Sequence, residues 1–386
     1  MIWTVTHATF CRLVLNSSRR FAYPFAPVLS RGLGVPLTAI TSLIAINQAT
    51  GILGIFFGPL SDRFGYRLMM SAGLFMLVTG MFAGGLLPFY GVVVAALFLA
   101  GLGKSVFDPA LQAYVGKQVP YHRRGMVIGM LEFAWAGSTL VGIPLIGLCI
   151  ARWGWRSPFF LLAGLGLLGL GTIGFLVPKE NRRGGNQGRS PGFLKAWGTL
   201  LHHRPALGAL LFGFFVSVAN DNLFVVYGAW LEQSFQLSVI ALGVGTSVIG
   251  MAEFLGEILT ASLADRFGLK RSVLTGLLLS SLGYGILPLF RHSLFTALSG
   301  LFLVFIVFEF AIVAFLSLCT ELLPGSRATM MSAYLAAAGA GRVLGAFIGG
   351  PVWVAGGIVL TCLVSAGISL LSVVSLAWGL RGWEET

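Results

Sequence analysis

Apolar runs of about twenty residues recur along the chain, separated by short groups of polar, charged, glycine or proline residues. A helix of that length spans the roughly 30 Å hydrocarbon core of a bilayer. The runs fall at 8–30, 37–60, 68–87, 91–116, 124–149 and 157–177, then at 206–231, 239–264, 271–290, 294–320, 327–353 and 356–380. Hydrocarbon offers nothing to satisfy backbone N–H and C=O groups, so each run is predicted to be helical. The expectation is an all-α, multi-pass membrane protein of twelve transmembrane helices.

One long polar stretch, Pro178 to Pro205, interrupts the series. It carries Lys179, Arg182, Arg183, Arg189, Lys195 and Arg204 with Gly184, Gly185 and Gly188, and reads as a flexible linker. The predicted domains are therefore a six-helix bundle over 1–177, a cytoplasmic linker over 178–205 and a second six-helix bundle over 206–386. The halves repeat. Asp62-Arg63-Phe64-Gly65 recurs as Asp265-Arg266-Phe267-Gly268, and Gly154 and Gly164 pair with Gly357 and Gly367 at the same offset. Parallel repeats of this kind place a substrate site between halves, near the bilayer midplane.

Composition agrees: 56% of the 386 residues are hydrophobic and 10% are charged, against about 25% charged in soluble domains. The net charge of +12 does not point to nucleic acid, because basic residues of membrane proteins gather in cytoplasmic loops. With the N-terminus inside, inner loops hold sixteen Lys and Arg and outer loops hold four, namely Arg31, Arg152, Arg156 and Arg291. Both termini are thus expected in the cytoplasm, in a cell (inner or plasma) membrane. Cys11, Cys149, Cys319 and Cys362 lie in apolar runs without CxxC spacing and read as core residues. No cleavable signal peptide is expected from His7 to Ser30.

The loop Gly58-Pro59-Leu60-Ser61-Asp62-Arg63-Phe64-Gly65-Tyr66-Arg67 resembles the signature of the major facilitator superfamily between its second and third helices. The copy at Asp265, Arg266 and Gly268 is weaker. The resemblance covers essentially the whole chain. It implies two pseudo-symmetric six-helix bundles, a monomer, and a conformational gate at Gly58, Asp62, Arg63, Gly65, Arg67, Asp265, Arg266 and Gly268. In such a gate Asp62 sits near a helix N-terminus, as the helix dipole favours. Gly137, Gly142, Pro144 and Gly147 on the fifth helix are similar to the motif of the superfamily's antiporters, chiefly drug/proton exchangers; the bland alternative is close helix packing. Those antiporters usually carry an arginine on the fourth helix, where this chain has Leu97, with Lys104 and Asp108 lying deeper.

Ionisable residues at membrane depth are costly and usually face a cavity. On the first helix Arg12, Asn16, Arg19, Arg20, Tyr23 and Pro27 fall within an arc of about 100°. Arg12 alone could reach the interface by snorkelling. Adjacent guanidinium groups at Arg19 and Arg20 suit a carboxylate, phosphate or sulfonate; the alternative is pairing with Glu132 or Asp108. Glu253 and Glu257 share a face of the eighth helix with Thr246 and Thr260, and one of two carboxylates so placed can carry a proton; the alternative is a salt bridge to Arg342. Asp221 and Glu309 complete the acidic set. The first half is therefore net basic and the second net acidic. This predicts substrate contacts at Arg19, Arg20, Asn16, Tyr23, Lys104 and Arg342. Proton coupling is predicted at Glu253, Glu257, Asp221, Asp108, Glu132 and Glu309.

The expected function is secondary active transport of a small organic anion or zwitterion, proton-coupled and directed outward. Multidrug/proton efflux and organic-anion uptake remain open. A membrane enzyme would need HExxH, GxSxG or a catalytic dyad, and the five histidines form no metal motif. GxxxxGK[ST] does not occur, so the energy source is an ion or solute gradient. No cofactor, metal or nucleic-acid partner is expected.

Overall fold

The computed structural model describes residues 2–118, 131, 133–176, 203–323 and 327–383. The first span is two helices, α1 (Ile2–Arg20) and α2 (Ala26–Leu33), joined by a turn at 21–25 that contains Pro24. The second is α3 (Leu37–Ala49) and α4 (Gly54–Phe64), linked by a 3-10 turn. Then follow α5 (Tyr66–Leu86), α6 (Tyr90–Gln118), α7 (Phe133–Trp153) and α8 (Ser157–Leu176). A π-helical turn, Ser138–Gly142, interrupts α7.

In the second half the seventh span comprises α9 (Arg204–Phe224) and α10 (Tyr227–Phe235), broken at Val225 and Val226. α11 (Val239–Phe267), α12 (Leu269–Ile286) and α13 (Leu294–Leu322) are the next three spans. α14 (Arg327–Gly379) reads as one helix but departs from helical geometry at Gly356 and Gly357, which divides it into the last two spans. The expected linker over 178–205 lies almost wholly outside the described residues.

By internal contacts the chain forms two compact units. The first is Met1–Arg182 with Val225–Gly250, and the second is Arg183–Phe224 with Met251–Thr386. In the first unit glycine lets helices approach to backbone contact. A Cβ at Gly73 on α5 would lie 2.5 Å from the carbonyl of Gly103 on α6. One at Gly80 would lie 2.8 Å from that of Ala96. In the second unit a Cβ at Gly208 would lie 2.6 Å from Cα of Gly379. Small residues at helix crossings replace the hydrophobic drive that lipid does not supply. The second unit's core centres on Phe212, Phe315 and Tyr334, with ring centroids 4.3 Å (Phe212–Phe315) and 4.8 Å (Phe315–Tyr334) apart.

Large apolar side chains point outward on both units, among them Phe75, Leu168, Phe175 and Phe295. Patches of that extent fit a lipid-facing surface. The internal duplication also shows in the backbone. Gly65 and Gly268 have φ of 95° and 83°, and Gly154 and Gly357 have 83° and 59°. These are the pairs that the sequence relates at one offset, and each ends a helix or breaks one where only glycine is unstrained.

Candidate functional site

The polar face of α1 is buried. Arg12 and Arg20 are 8% and 5% exposed, Asn16 is fully buried and Arg19 is half-buried. Arg19 and Arg20 form the last turn of α1. The negative end of the helix dipole offsets part of the cost of holding them there. Arg19 donates from Nη2 to the carbonyl of Gln48, 3.2 Å away on α3. The Gln48 amide in turn donates to the Tyr23 hydroxyl. Arg20 stacks on Trp135 of α7, its guanidinium 4.3 Å from the ring centroid, a contact worth about 2 kcal/mol when desolvated.

Asp108 pairs elsewhere. Its carboxylate takes Lys104 Nζ at 2.5 Å, one turn back on α6, and Arg12 Nε at 3.5 Å from α1. Arg12 is therefore part of a buried triad rather than a snorkelling interface residue. Asn47 donates to the carbonyl of Leu97 at 2.5 Å, and Ser105 to that of Thr50 at 2.9 Å, which pins α3 to α6 behind the triad. Among the described residues neither amide atom of Asn16 has a hydrogen-bond partner, which is unusual for a fully buried amide. Asn47, Gln48 and Trp135 were not among the sequence candidates. An Asn-Gln pair in mid-span was the available signal for the first two. Glu132 lies outside the described residues.

The antiporter-like motif lies against Val225–Gly250, the part of spans seven and eight that belongs to the first unit. A Cβ at Gly142 would meet Ser17 of α1; one at Gly147 would lie 3.1 Å from the carbonyl of Val239, and one at Gly243 3.4 Å from Cα of Pro144. One at Gly250 would be 2.9 Å from Cβ of Thr139, and Ser247 donates to the carbonyl of Leu140 at 3.2 Å. A Cβ at Gly228 would run into the carbonyl oxygen of Pro24 and lie 2.8 Å from its Cα and carbonyl carbon. At the same end Arg31 donates two hydrogen bonds to Glu232, at 3.0 and 2.6 Å. Within this segment the Tyr227 and Thr246 hydroxyls lie 3.0 Å apart, both buried.

The second unit holds the acidic set. Asp221 and Glu253 are each 4% exposed. Glu309 packs on α11 where α13 crosses it at Gly256, in the same turn as Glu253 and Glu257: an added Cβ at Gly256 would lie 2.7 Å from Cβ of Glu309. Asp221 packs at Gly345, 3.0 Å from that glycine's virtual Cβ and one turn beyond Arg342. The Tyr284 hydroxyl donates to Asn220 at 3.2 Å. Gate residues Gly58, Asp62 and Arg63 lie on α4 and Asp265 on α11, and the side chains at 62, 63 and 265 are outside the described set. Gly65 and Gly268, both at positive φ, form the breaks between successive helices.

Against this geometry a family model described as Major Facilitator Superfamily matches residues 8–220 and 210–385. The chain belongs to the Major Facilitator Superfamily. It is 26% identical over 351 residues to the uncharacterised MFS-type transporter YceJ of Bacillus subtilis, covering 90% of this chain and 88% of that one. It is 25% identical over 280 residues to a multi-drug resistance efflux pump PmrA homolog of Lactococcus lactis, covering 70% and 68%. The crystal structure of a mutant of the nucleoside transporter NupG superposes with a TM-score of 0.82 at 12% identity, over 99% of both chains. This superfamily member is thus a multi-pass membrane transporter with the expected all-α fold.

Proposed function

We propose that this transporter moves a small organic anion or zwitterion outward by alternating access, coupled to protons. The basic wall of the first unit carries the reading. Arg12 and Lys104 pair with the described carboxylate of Asp108, and Arg19 and Arg20 continue the same basic face of α1 toward Gln48 and Trp135. Buried charge costs several kcal/mol per ion, and a wall this rich in cations suits a ligand of opposite sign. The orphaned Asn16 amide on the same face supports a polar ligand. Discontinuous helices are where such proteins bind solute, and the break at 21–25 adjoins Arg19, Arg20 and Tyr23. The carboxylates Asp221, Glu253, Glu257 and Glu309 are the proposed proton carriers.

Export is supported by the likeness of the helix-five motif to that of the superfamily's antiporters and by the name of the Lactococcus relative; the close packing of the motif fits either reading. That name also favours the second reading, multidrug efflux. The proposed halves are 1–177 and 206–386, joined by a cytoplasmic linker, with both termini inside and a monomer as the working unit.

Thermal unfolding with panels of anions, zwitterions and lipophilic cations separates the two. A ligand of the folded state stabilises by RT ln(1 + [L]/Kd). Anions or zwitterions should stabilise the native chain, and Arg19→Ala/Arg20→Ala should lose the effect. Stabilisation by cations alone, unchanged in the variant, would establish multidrug efflux instead.

The Arg31–Glu232 pair should contribute little by itself. Arg31 is 62% exposed, and such pairs are worth roughly 0.2–1 kcal/mol. Glu232→Gln should therefore change solute flux by less than about fivefold. A complete loss would show that the pair, rather than the glycine packing beside it, holds this end together.

A further inference from the structure

We propose that the second unit binds the headgroup of an anionic phospholipid at the junction of α11, α12 and α13. A cavity of about 460 Å³ opens there, lined by Arg266, Phe267, Arg271, Ser272, Thr275 and Phe310. Its described lining has two cations and no carboxylate. Neighbouring basic groups are committed elsewhere. Lys270 donates to the carbonyls of Leu380 and Trp383, each at 2.9 Å, and Arg204 to that of Trp378 at 2.6 Å. The hydroxyls of Ser272 and Thr275 are likewise committed to the carbonyls of Ala264 and Arg271. Arg266 and Arg271 are exposed and remain as the donors of the cavity.

The surroundings suit a phosphate that is part of a lipid. The cavity lies over the first turns of α12, whose N-terminus has no side-chain cap and whose dipole favours an anion. Along the exposed face of α12, Arg271 and Thr275 give way to Leu278, Leu279, Leu282 and Ile286. These positions follow helical spacing, so one stripe is cationic at its end and apolar beyond it. A phospholipid has that same order, with phosphate at the interface and acyl chains running into the bilayer. Phe267, 61% exposed, adds an apolar face to the cavity itself. Basic pockets between membrane helices on the cytoplasmic side take such headgroups, and the loop charges place this end there.

Native mass spectrometry of the purified protein in micelles doped with phosphatidylglycerol or phosphatidylcholine tests it, with inorganic phosphate as a third arm. Phosphatidylglycerol should be retained at least tenfold more than phosphatidylcholine. Arg266→Gln/Arg271→Gln should abolish the preference, and raised salt should weaken it in the native chain. Equal retention of both lipids, retention that survives both the substitutions and salt, or displacement of the lipid by millimolar phosphate alone would overturn the proposal. Should the double variant fail to fold, Arg271→Gln alone and the salt series decide.

Discussion

Asp108→Ala should destabilise the folded protein by about 3–5 kcal/mol, the usual cost of removing one partner from a buried ion pair. The side chains of Arg12 and Lys104 are 9% and 7% exposed and that of Asp108 21%, so solvent screening is slight. The loss exceeds the pair's own net worth because two cations are left in a low-dielectric interior without this counter-ion. Asp108→Asn keeps shape and an acceptor but not charge, so it should fall between the native chain and alanine. A chain with Arg12→Met, Lys104→Met and Asp108→Leu together should recover much of the stability, since neutralising a whole buried network is often harmless. It should also lose anion stabilisation if the basic set serves the solute. Thermal unfolding in one detergent orders the four proteins. An alanine variant as stable as the native chain would mean that water, not Asp108, satisfies the two cations.

The triad also marks where reading the sequence stops. Helical spacing groups Arg12, Asn16, Arg19, Arg20 and Tyr23 on one face of the first helix, but α1 is buried on nearly every side from Cys11 to Arg20 and Tyr23 lies in the turn beyond it, so burial does not single that face out. Spacing along one helix cannot say which neighbour meets it. Asp108 was a candidate partner for Arg19 and Arg20, yet it takes Arg12 and Lys104, because those are the groups that α1 and α6 bring to the same depth. Glu309 was equally opaque. Its place against Gly256, in the turn of α11 that carries Glu253 and Glu257, depends on packing between helices far apart in sequence. The duplication, by contrast, was legible to single residues, since Gly65 and Gly268 repeat both in sequence and in backbone angle. The broken helices were half legible. Pro24 signals the first, whereas Val225 and Val226 turn the seventh span with no breaker residue at all.

Gly228→Ala should cut transport by about fivefold or more while leaving the fold intact. The added Cβ would lie 2.8 Å from both Cα and the carbonyl carbon of Pro24, and backbone cannot swing aside as a side-chain tip can. Overpacking of this kind costs about 1–3 kcal/mol. The cost falls only on the arrangement in which Val225–Gly250 is seated against spans one and five. In alternating access that seating must form and part in every cycle, so a penalty on one state shifts the balance, about tenfold per 1.4 kcal/mol. Gly250→Ala, facing Cβ of Thr139 at 2.9 Å, should act in the same direction. Gly164→Ala is the control, because among the described residues nothing lies within 4 Å of its added carbon. A membrane-impermeant maleimide reports the state directly. In a Glu232→Cys background, Gly228→Ala should label faster than its parent, and Gly164→Ala should not. Unchanged labelling together with unchanged flux would mean that Pro24 and its helix yield, and that the close packing at this end does not set the cycle.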